Sequence, residues 1–150
     1  MANEMNKILD SIVLPEGYKP SENEEYMCPM QLAYFRKKLL DWKSELIAGS
    51  QNTMKTLVEE TSGTYGTAGD DIDRANDEAL KQLELRTRDR ERKVMAKIDA
   101  ALKRIDDGTF GYCEITDEPI GLKRLEARPI ATMTLEAQEE YEAKEKMYNS

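Results

Sequence analysis

The sequence contains no histidine and only two cysteines, Cys28 and Cys113. Catalysis by histidine and metal binding by histidine are therefore excluded, and two thiols are too few for a disulfide framework. In a cytoplasmic setting we expect two ordinary buried thiols, with a redox role as the alternative. The sequence also lacks an apolar run near the ~20 residues of a transmembrane helix, and its first residues do not resemble a signal peptide. We expect a cytoplasmic protein without a membrane anchor.

Positive charge is in short supply. The 150 residues include 22 Lys and Arg against 30 Asp and Glu, so the formal net charge is −8. This balance disfavours a free-standing DNA-binding role, because phosphate contacts need clustered positive charge. With 35% charged and 39% hydrophobic residues, the composition suits an elongated helical protein that binds other proteins better than a globule with a large core.

One stretch, residues 70–107, is dominated by strong helix formers and contains no proline or glycine. Asp70 is placed to cap its first turn, and Asp107-Gly108 is a typical helix end. Apolar residues recur at three- and four-residue steps in a thin seam of the coiled-coil type, which Thr87 and Arg90 interrupt. The members of this seam are Leu83, Val94, Ile98, Ala101 and Ile105. The sequence therefore predicts one long helix that needs a partner along most of its length.

The partner is predicted at residues 29–60, where Leu32, Phe35, Leu39 and Trp42 keep helical spacing. Phe35 and Trp42 are interpreted as core anchors. The intervening 61–69 is small, polar and rich in glycine, which predicts a turn between antiparallel helices. We therefore predict a mainly α protein with a long antiparallel coiled-coil hairpin over 29–107 and a tip near 61–73.

The remaining segments are expected to form a small globular domain at the base of the hairpin. Residues 1–28 are predicted as an N-terminal arm, with either a short helix or an extended segment near Ile8 to Val13. Residues 108–133 are predicted to contain turns and short strands, and 134–150 a C-terminal helix that Thr134 caps. We expect that helix to dock through Leu135, Ala137, Tyr141 and Met147.

Considered without any relative, the candidate functional groups have plain structural explanations. Asp70 and Asp73 share one side of a helix, where they either cap it or contact basic groups or a Mg²⁺ site. The basic run from Arg86 to Lys93 is typical of a solvated coiled-coil face with internal ion pairs. A self-associating structural coiled coil is one hypothesis. A carboxylate metalloenzyme using Asp70, Asp73 and Asp77 is a remote one, and we do not expect an enzyme.

Several long motifs follow one another between about residue 25 and residue 145. They are Glu25-Tyr26-Met27, Gln31 to Arg36, Asp70 to Ala75, Leu83 to Lys93, Phe110 to Glu114 and Ile120 to Pro129. In this order they resemble the motifs of the DksA family. The resemblance implies a transcription regulator that binds bacterial RNA polymerase directly. It implies a monomer whose coiled-coil tip enters the secondary channel and which acts with the alarmone ppGpp on promoter complexes, without binding DNA.

The same resemblance assigns the functional residues. At the tip they are Asp70, Asp73 and Ala75, and along the hairpin they are Arg90, Val94 and Lys97. The residues matching the family's ppGpp contacts are Lys97 and Arg128. Gln138 stands where the family has a further lysine, so we expect a weaker ppGpp contact here.

The family's four zinc-binding cysteines correspond to Cys113, Thr116, Thr134 and Ala137. One thiol cannot build a four-cysteine site, which needs four ligands. We therefore predict no structural zinc and place the chain in the zinc-free branch of the family. Residues 108–133 would then be a degenerate zinc-finger-like segment held by packing. The expected contributors are Pro119, Ile120, Leu122, Leu125, Ile130 and Met133.

Overall fold

The computed structural model describes residues 2–63 and 70–148, with side chains described in 4–49, 51, 55 and 74–148. This part of the chain forms five helices. They are α1 (Ala2–Ser11), α2 (Pro29–Gly63), α3 (Asp70–Asp107), α4 (Leu122–Ala127) and α5 (Leu135–Tyr148). None of the described helices is long and apolar enough to cross a membrane.

The protein is mainly α, which confirms the predicted fold class. The described β pairing is a single antiparallel bridge between Tyr112 and Pro119. The short strands expected in 108–133 are therefore reduced to this bridge, and the Leu122 to Ala127 stretch is helical. The apolar residues in this segment are too few and too irregularly spaced to extend a strand pair.

The ends of the two long helices follow from local sequence signals. Pro29 occupies the first turn of α2, where its missing N–H costs nothing, and the Leu32 N–H donates to the Cys28 carbonyl at 3.0 Å. α3 ends before Gly108, whose φ of 79° is in the left-handed region. Beyond it the Thr109 N–H returns to the Arg104 carbonyl at 2.9 Å. The predicted end of the long helix is confirmed.

The chain divides into two compact units. One consists of residues 1–40 and 98–150, and the other of residues 41–97. The first part of α2 thus packs with the last part of α3, and the last part of α2 with the first part of α3. The two helices therefore run antiparallel, as a hairpin.

The core of the first unit lies where the start of α2 meets the end of α3. Phe35 and Leu39 of α2 and Ile98 and Ile105 of α3 are fully buried. The rings of Phe35 and Phe110 lie 5.7 Å apart between centroids. The same two helices also bury Leu32, Ala33 and Ala101, and other segments add Leu9, Cys113, Ile120, Leu125 and Ala137.

Two expectations about the N-terminal half of the chain need correction. Trp42 is partly exposed rather than a full core anchor, because it follows the buried stripe that ends at Leu39. The N-terminal helix covers Ala2–Ser11 instead of Ile8 to Val13. It is attached through buried Leu9 and an ion pair between Asp10 and Arg36.

α5 does not dock through the residues expected. Of the predicted set, Ala137 alone is buried, while Leu135, Tyr141 and Met147 are exposed. At about 100° per residue Leu135 lies roughly 160° around the helix from Ala137, and Met147 about 80° from it, so the four positions do not form one narrow apolar face. Thr134 does cap the helix, since its Oγ1 accepts a hydrogen bond from the Ala137 N–H at 3.1 Å.

A polar cluster joins α2 to the short α4. Lys38 Nζ donates to Glu126 twice, to Oε1 at 2.8 Å and to the main-chain carbonyl at 2.9 Å. The Tyr34 hydroxyl donates to the same Oε1 at 2.7 Å. We call these three residues the Lys38 clamp. It is one of the polar links between parts of the chain 88 positions apart.

The clamp shifts the pKa of two of its members. Burial and the hydrogen bond to Glu126 raise the pKa of Tyr34 to about 12. Burial alone would raise the pKa of Glu126, but hydrogen bonds from Lys38 and Tyr34 outweigh it and hold that pKa below its ordinary value. The folded chain therefore binds the Glu126 proton less tightly than the unfolded chain. The contribution of the carboxylate to stability is full above its ordinary pKa of about 4.3 and is lost as pH falls through the lower folded-state pKa.

Glu126→Gln should therefore destabilise the protein at pH 7 but not in acid. The loss at pH 7 should stay below about 1 kcal/mol, because a pair this exposed is screened by solvent. Thermal melts of the variant and the parent should converge towards about pH 3. Glu118→Gln, at an exposed glutamate, is the control and should show no such trend. If the melting temperatures of Glu126→Gln and the parent differed by the same amount at every pH, the charge of Glu126 would not stabilise the fold.

Candidate functional site

Residues 111–121 form a tight knuckle around Cys113. The Ile120 N–H donates to the Gly111 carbonyl at 2.8 Å, and the Cys113 N–H to the Glu118 carbonyl at 2.8 Å. The Asp117 N–H returns to the Cys113 carbonyl at 2.9 Å. These bonds fold the chain back on itself and leave the Cys113 side chain 1% exposed.

The N-terminal arm closes this knuckle. The Tyr26 hydroxyl donates to the Gly111 carbonyl at 2.6 Å and accepts from the Gly121 N–H at 3.0 Å. Gly111 has a φ of 92°, and a Cβ placed there would lie 2.8 Å from Met27 Sδ. Gly111 is thus required twice, by its backbone conformation and by the close approach of Met27.

The four positions that the family resemblance assigned to zinc ligands come together here. The Cys113 thiol accepts hydrogen bonds from the Thr116 hydroxyl and from the N–H groups of Ile115, Thr116 and Thr134. Thr134 in turn accepts from the Ala137 N–H. The knuckle and the start of α5 therefore converge on one point, at which Cys113 is the single thiol.

The hydrogen bonds determine the chemistry of this thiol. Burial would raise the pKa of Cys113, but the donors from Thr116, Thr134 and Ile115 lower it to about 7. A zinc ion needs four ligands, and two threonine hydroxyls and an alanine do not fit that requirement beside one thiolate. Within the described ranges, no group of three or more Cys, Asp or Glu side chains could hold a metal ion.

The other predicted features of this segment are only partly as expected. Cys113 is a buried thiol, whereas Cys28 is partly exposed. Both are free of disulfides. Ile120 and Leu125 are buried, but Pro119 lies on the surface because it pairs with exposed Tyr112.

The predicted tip residues lie in the first turns of α3. Asp70 begins the helix, but the side chains of Asp70 and Asp73 and the residues 64–69 lie outside the described part of the chain. Ala75 is exposed. Their proposed contacts stay predictions.

Along α3 the predicted hairpin contacts are accessible. Arg90 and Lys97 are exposed and Val94 is partly exposed. The neighbouring basic residues are also exposed, and some form ion pairs one turn apart, Arg88 with Glu84 at 2.9 Å and Lys93 with Asp89 at 3.6 Å. These ion pairs agree with the expected solvated face of α3. The side chains of this face are still accessible to a binding partner.

Arg128 directly follows α4. Its N–H donates to the Arg124 carbonyl at 2.7 Å, its side chain is exposed, and the next residue, Pro129, is buried. It lines an open cleft of about 640 Å³ together with Lys123 and Arg124. Three glutamates share the cleft wall: Glu22, Glu118 and Glu136. Arg128 belongs to the first compact unit and Lys97 to the second.

Gln138 is engaged by Arg124. The Arg124 guanidinium donates to Gln138 Oε1 and, through Nε, to the Met133 carbonyl at 2.9 Å. Gln138 Nε2 donates to Glu142 at 3.1 Å. At the position where a lysine was expected by resemblance, the side chain is therefore an internal link between α4 and α5.

Sequence reasoning missed the polar residues that hold these segments in place. Gln31 is fully buried, where its Oε1 accepts from the Met27 N–H at 2.8 Å and its Nε2 donates to the Ser21 carbonyl at 3.2 Å. The sequence offered one indication of this role: Gln31 lies in the buried stripe of α2, and a buried glutamine needs hydrogen-bond partners. Tyr26 and the Lys38 clamp join positions 85 or more apart, and no local pattern indicates such pairs.

Two family models match the chain on either side of the α3 end. Residues 31–105 match the N-terminal domain of DnaK suppressor protein DksA. Residues 108–143 match the prokaryotic dksA/traR C4-type zinc finger. The second match covers the knuckle and α5 as far as residue 143, although three of the four positions that the resemblance assigns to zinc ligands carry no thiol.

Whole-chain relatives give the same result. The RNA polymerase-binding transcription factor DksA of Caulobacter vibrioides is 51% identical over 91% of this chain and 94% of its own length. The factor of the same name from Escherichia coli K12 is 40% identical over 87% of this chain and 84% of its own length. The solved structure of transcription factor DksA2 from Pseudomonas aeruginosa superimposes with a TM-score of 0.70 at 34% identity, covering 95% of this chain and 98% of that one. By its hairpin, its knuckle and these relatives, the chain belongs to the DksA family.

Proposed function

We propose that this protein binds bacterial RNA polymerase in the cytoplasm and regulates transcription initiation together with ppGpp. The observation that carries the proposal is the 51% identity to an RNA polymerase-binding transcription factor over 91% of the chain. The net charge of −8 supports an action through the polymerase rather than through DNA, because DNA binding requires clustered cations. The protein is proposed to act as a monomer that enters the secondary channel with its α2–α3 hairpin.

The competing hypothesis is a structural coiled coil that self-associates. Exposed Leu83 and Leu85 on α3 are the observation that favours it. Size-exclusion chromatography with light scattering, followed by a pull-down with polymerase core, separates the two. A monomer that binds polymerase supports regulation, and a stable dimer that does not bind polymerase would reject it.

The exposed hairpin residues are proposed to contact the channel. Arg90, Val94 and Lys97 are spaced by four and three positions, so they lie along one side of α3. Asp70, Asp73 and Ala75 are proposed to act at the tip, where acidic groups can meet basic side chains or a Mg²⁺ site. Contact along the hairpin would supply affinity, and contact at the tip would change the polymerase.

Asp73→Asn should separate binding from regulation. The substitution keeps the size of the side chain, and a surface change of this kind alters stability by no more than about 0.5 kcal/mol. We expect unchanged melting and polymerase affinity, but loss of the effect on transcription from a ribosomal RNA promoter. Glu78→Gln, the same chemical change further along α3, is the control and should retain regulation. A less cooperative melt for Asp73→Asn would show that Asp73 is a structural cap instead.

ppGpp is proposed to contact Lys97 and Arg128. Both side chains are exposed, and Arg128 shares its cleft with Lys123 and Arg124. Exposed cations alone hold a polyphosphate weakly because water and salt screen them. The polymerase must therefore supply further donors, and the free protein should bind ppGpp poorly. The engagement of Gln138 by Arg124 supports a weaker contact than a lysine would give.

Lys97→Ala and Arg128→Ala should each weaken the response to ppGpp. Loss of one charged hydrogen-bond donor predicts a rise of about tenfold in the half-maximal ppGpp concentration. Transcription assays with a ppGpp titration measure this. The ppGpp-independent effect should remain in Arg128→Ala and should fall only in part in Lys97→Ala, because Lys97 is also a proposed channel contact. Lys103→Ala, at another exposed lysine of α3, is the control. An unchanged ppGpp response in both variants would remove Lys97 and Arg128 from the site.

The finger-like segment is proposed to fold without zinc. Its support is the donor set described above, with Cys113 as the single thiol among the four ligand positions, and the hydrogen bonds that occupy that thiol. Tyr26, buried Ile120 and buried Leu125 supply contacts that can hold the segment without a metal.

Purified protein should therefore contain far less than one zinc per chain. Strong chelators should leave its melting temperature and polymerase regulation unchanged, because no metal contributes to folding. Elemental analysis of protein grown with and without added zinc measures the content. Near-stoichiometric zinc that resists chelators would contradict the proposal.

A further inference from the structure

We propose that Lys38 is a positioning residue for Arg128, so that the Lys38 clamp sets the sensitivity of the protein to ppGpp. This inference rests on the proposed contact between Arg128 and ppGpp. It assigns a regulatory task to a residue on α2 that lies outside both the tip and the proposed channel contacts.

The argument begins with the weakness of α4. This helix has six residues, Leu122–Ala127, and Gly121 at its start provides no side-chain cap. A single helical turn or two is not stable alone in water, so tertiary contacts must fix where it lies. Buried Leu125 anchors one side of the helix. The clamp anchors its end.

Lys38 acts on that end in two ways. Its ammonium donates to the Glu126 carbonyl, one of the carbonyls near the end of α4 that have no partner within the helix. It also donates to the Glu126 carboxylate, which Tyr34 contacts from the same helix α2. A cation at a helix C-terminus is electrostatically favourable as well.

Arg128 emerges two residues after this anchored position. Its backbone is held by the N–H bond to the Arg124 carbonyl at 2.7 Å and by the Ala131 N–H, which donates to the Arg128 carbonyl at 3.0 Å. The direction of its exposed side chain therefore depends on the end of α4. Release of that end would let the guanidinium sample more orientations, and binding would then have to restrict them again at an entropic cost.

The experiment compares two neighbouring lysines. Lys38→Met removes the ammonium but keeps a long side chain, and Lys37→Met removes the same charge from the adjacent exposed position. The readout is the half-maximal ppGpp concentration in transcription assays with polymerase. We expect an increase of about fivefold for Lys38→Met, within the range of a charged hydrogen bond. Lys37→Met should respond as the parent does.

A double-mutant cycle distinguishes positioning from a general loss of stability. If Lys38 acts through Arg128, then Lys38→Met should add nothing in an Arg128→Ala background, because the two changes remove the same interaction. Lys38→Arg, which keeps the charge and the donors, should restore much of the response. Polymerase affinity without ppGpp should stay unchanged in Lys37→Met and Lys38→Met.

The outcomes separate this inference from the proposed function. Loss of the ppGpp response in Arg128→Ala but not in Lys38→Met would overturn the positioning role alone. An unchanged response in Arg128→Ala would overturn the ppGpp contact itself, and the positioning role with it. Additive effects in the double variant, or loss of polymerase binding in Lys38→Met without ppGpp, would show that Lys38 acts elsewhere or only on folding.

Discussion

The contact between Phe35 and Phe110 is the interaction on which the other features of the first unit depend. Phe35 comes from the start of α2, and Phe110 lies shortly after the end of α3, beyond Gly108 and Thr109. Their burial, with Leu39, Ile98 and Ile105, joins the two helices and brings the chain that leaves α3 back against α2. Each fully buried side chain of this size contributes roughly 1.5–3 kcal/mol. The knuckle, α4 and the N-terminal arm pack against this core.

The knuckle lies within a segment that matches a zinc-finger family model, although one thiol, that of Cys113, stands among the four positions that the family resemblance assigns to ligands. Backbone hydrogen bonds among Gly111, Cys113, Glu118 and Ile120 determine the path of the loop. The remaining thiol accepts hydrogen bonds from the Thr116 hydroxyl and from nearby N–H groups. These hydrogen bonds offset the free-energy cost of burying the sulfur, because a buried polar group without partners would destabilise the fold.

The sequence predicted those features that depend on local patterns. The bounds of α3, the cap at Thr134 and the burial of Phe35 and Ile105 all follow from propensity, capping and helical spacing. The predictions for Trp42 and for the docking face of α5 are wrong because apolar character alone does not indicate burial, and protein surfaces also carry apolar residues. Pairs such as Lys38 with Glu126 are set by tertiary folding and leave no periodic signal in the sequence. Family resemblance assigned roles to Arg128 and Gln138, but the hydrogen bond from Arg124 to Gln138 is visible only in the folded structure.

The Tyr26 hydroxyl also has a consequence for the order of folding. It joins the two ends of the knuckle, yet it belongs to an arm 85 positions earlier in the chain than Gly111. Contacts between such distant positions raise the contact order, and their loop-closure entropy must be overcome before they stabilise anything. The Tyr26 hydroxyl, which comes from a distant part of the chain, thus bridges Gly111 and Gly121 at the two ends of this loop. During synthesis the arm emerges first and completes its hydrogen bonds only after residue 121 has left the ribosome, so closure of the knuckle is a late step of folding.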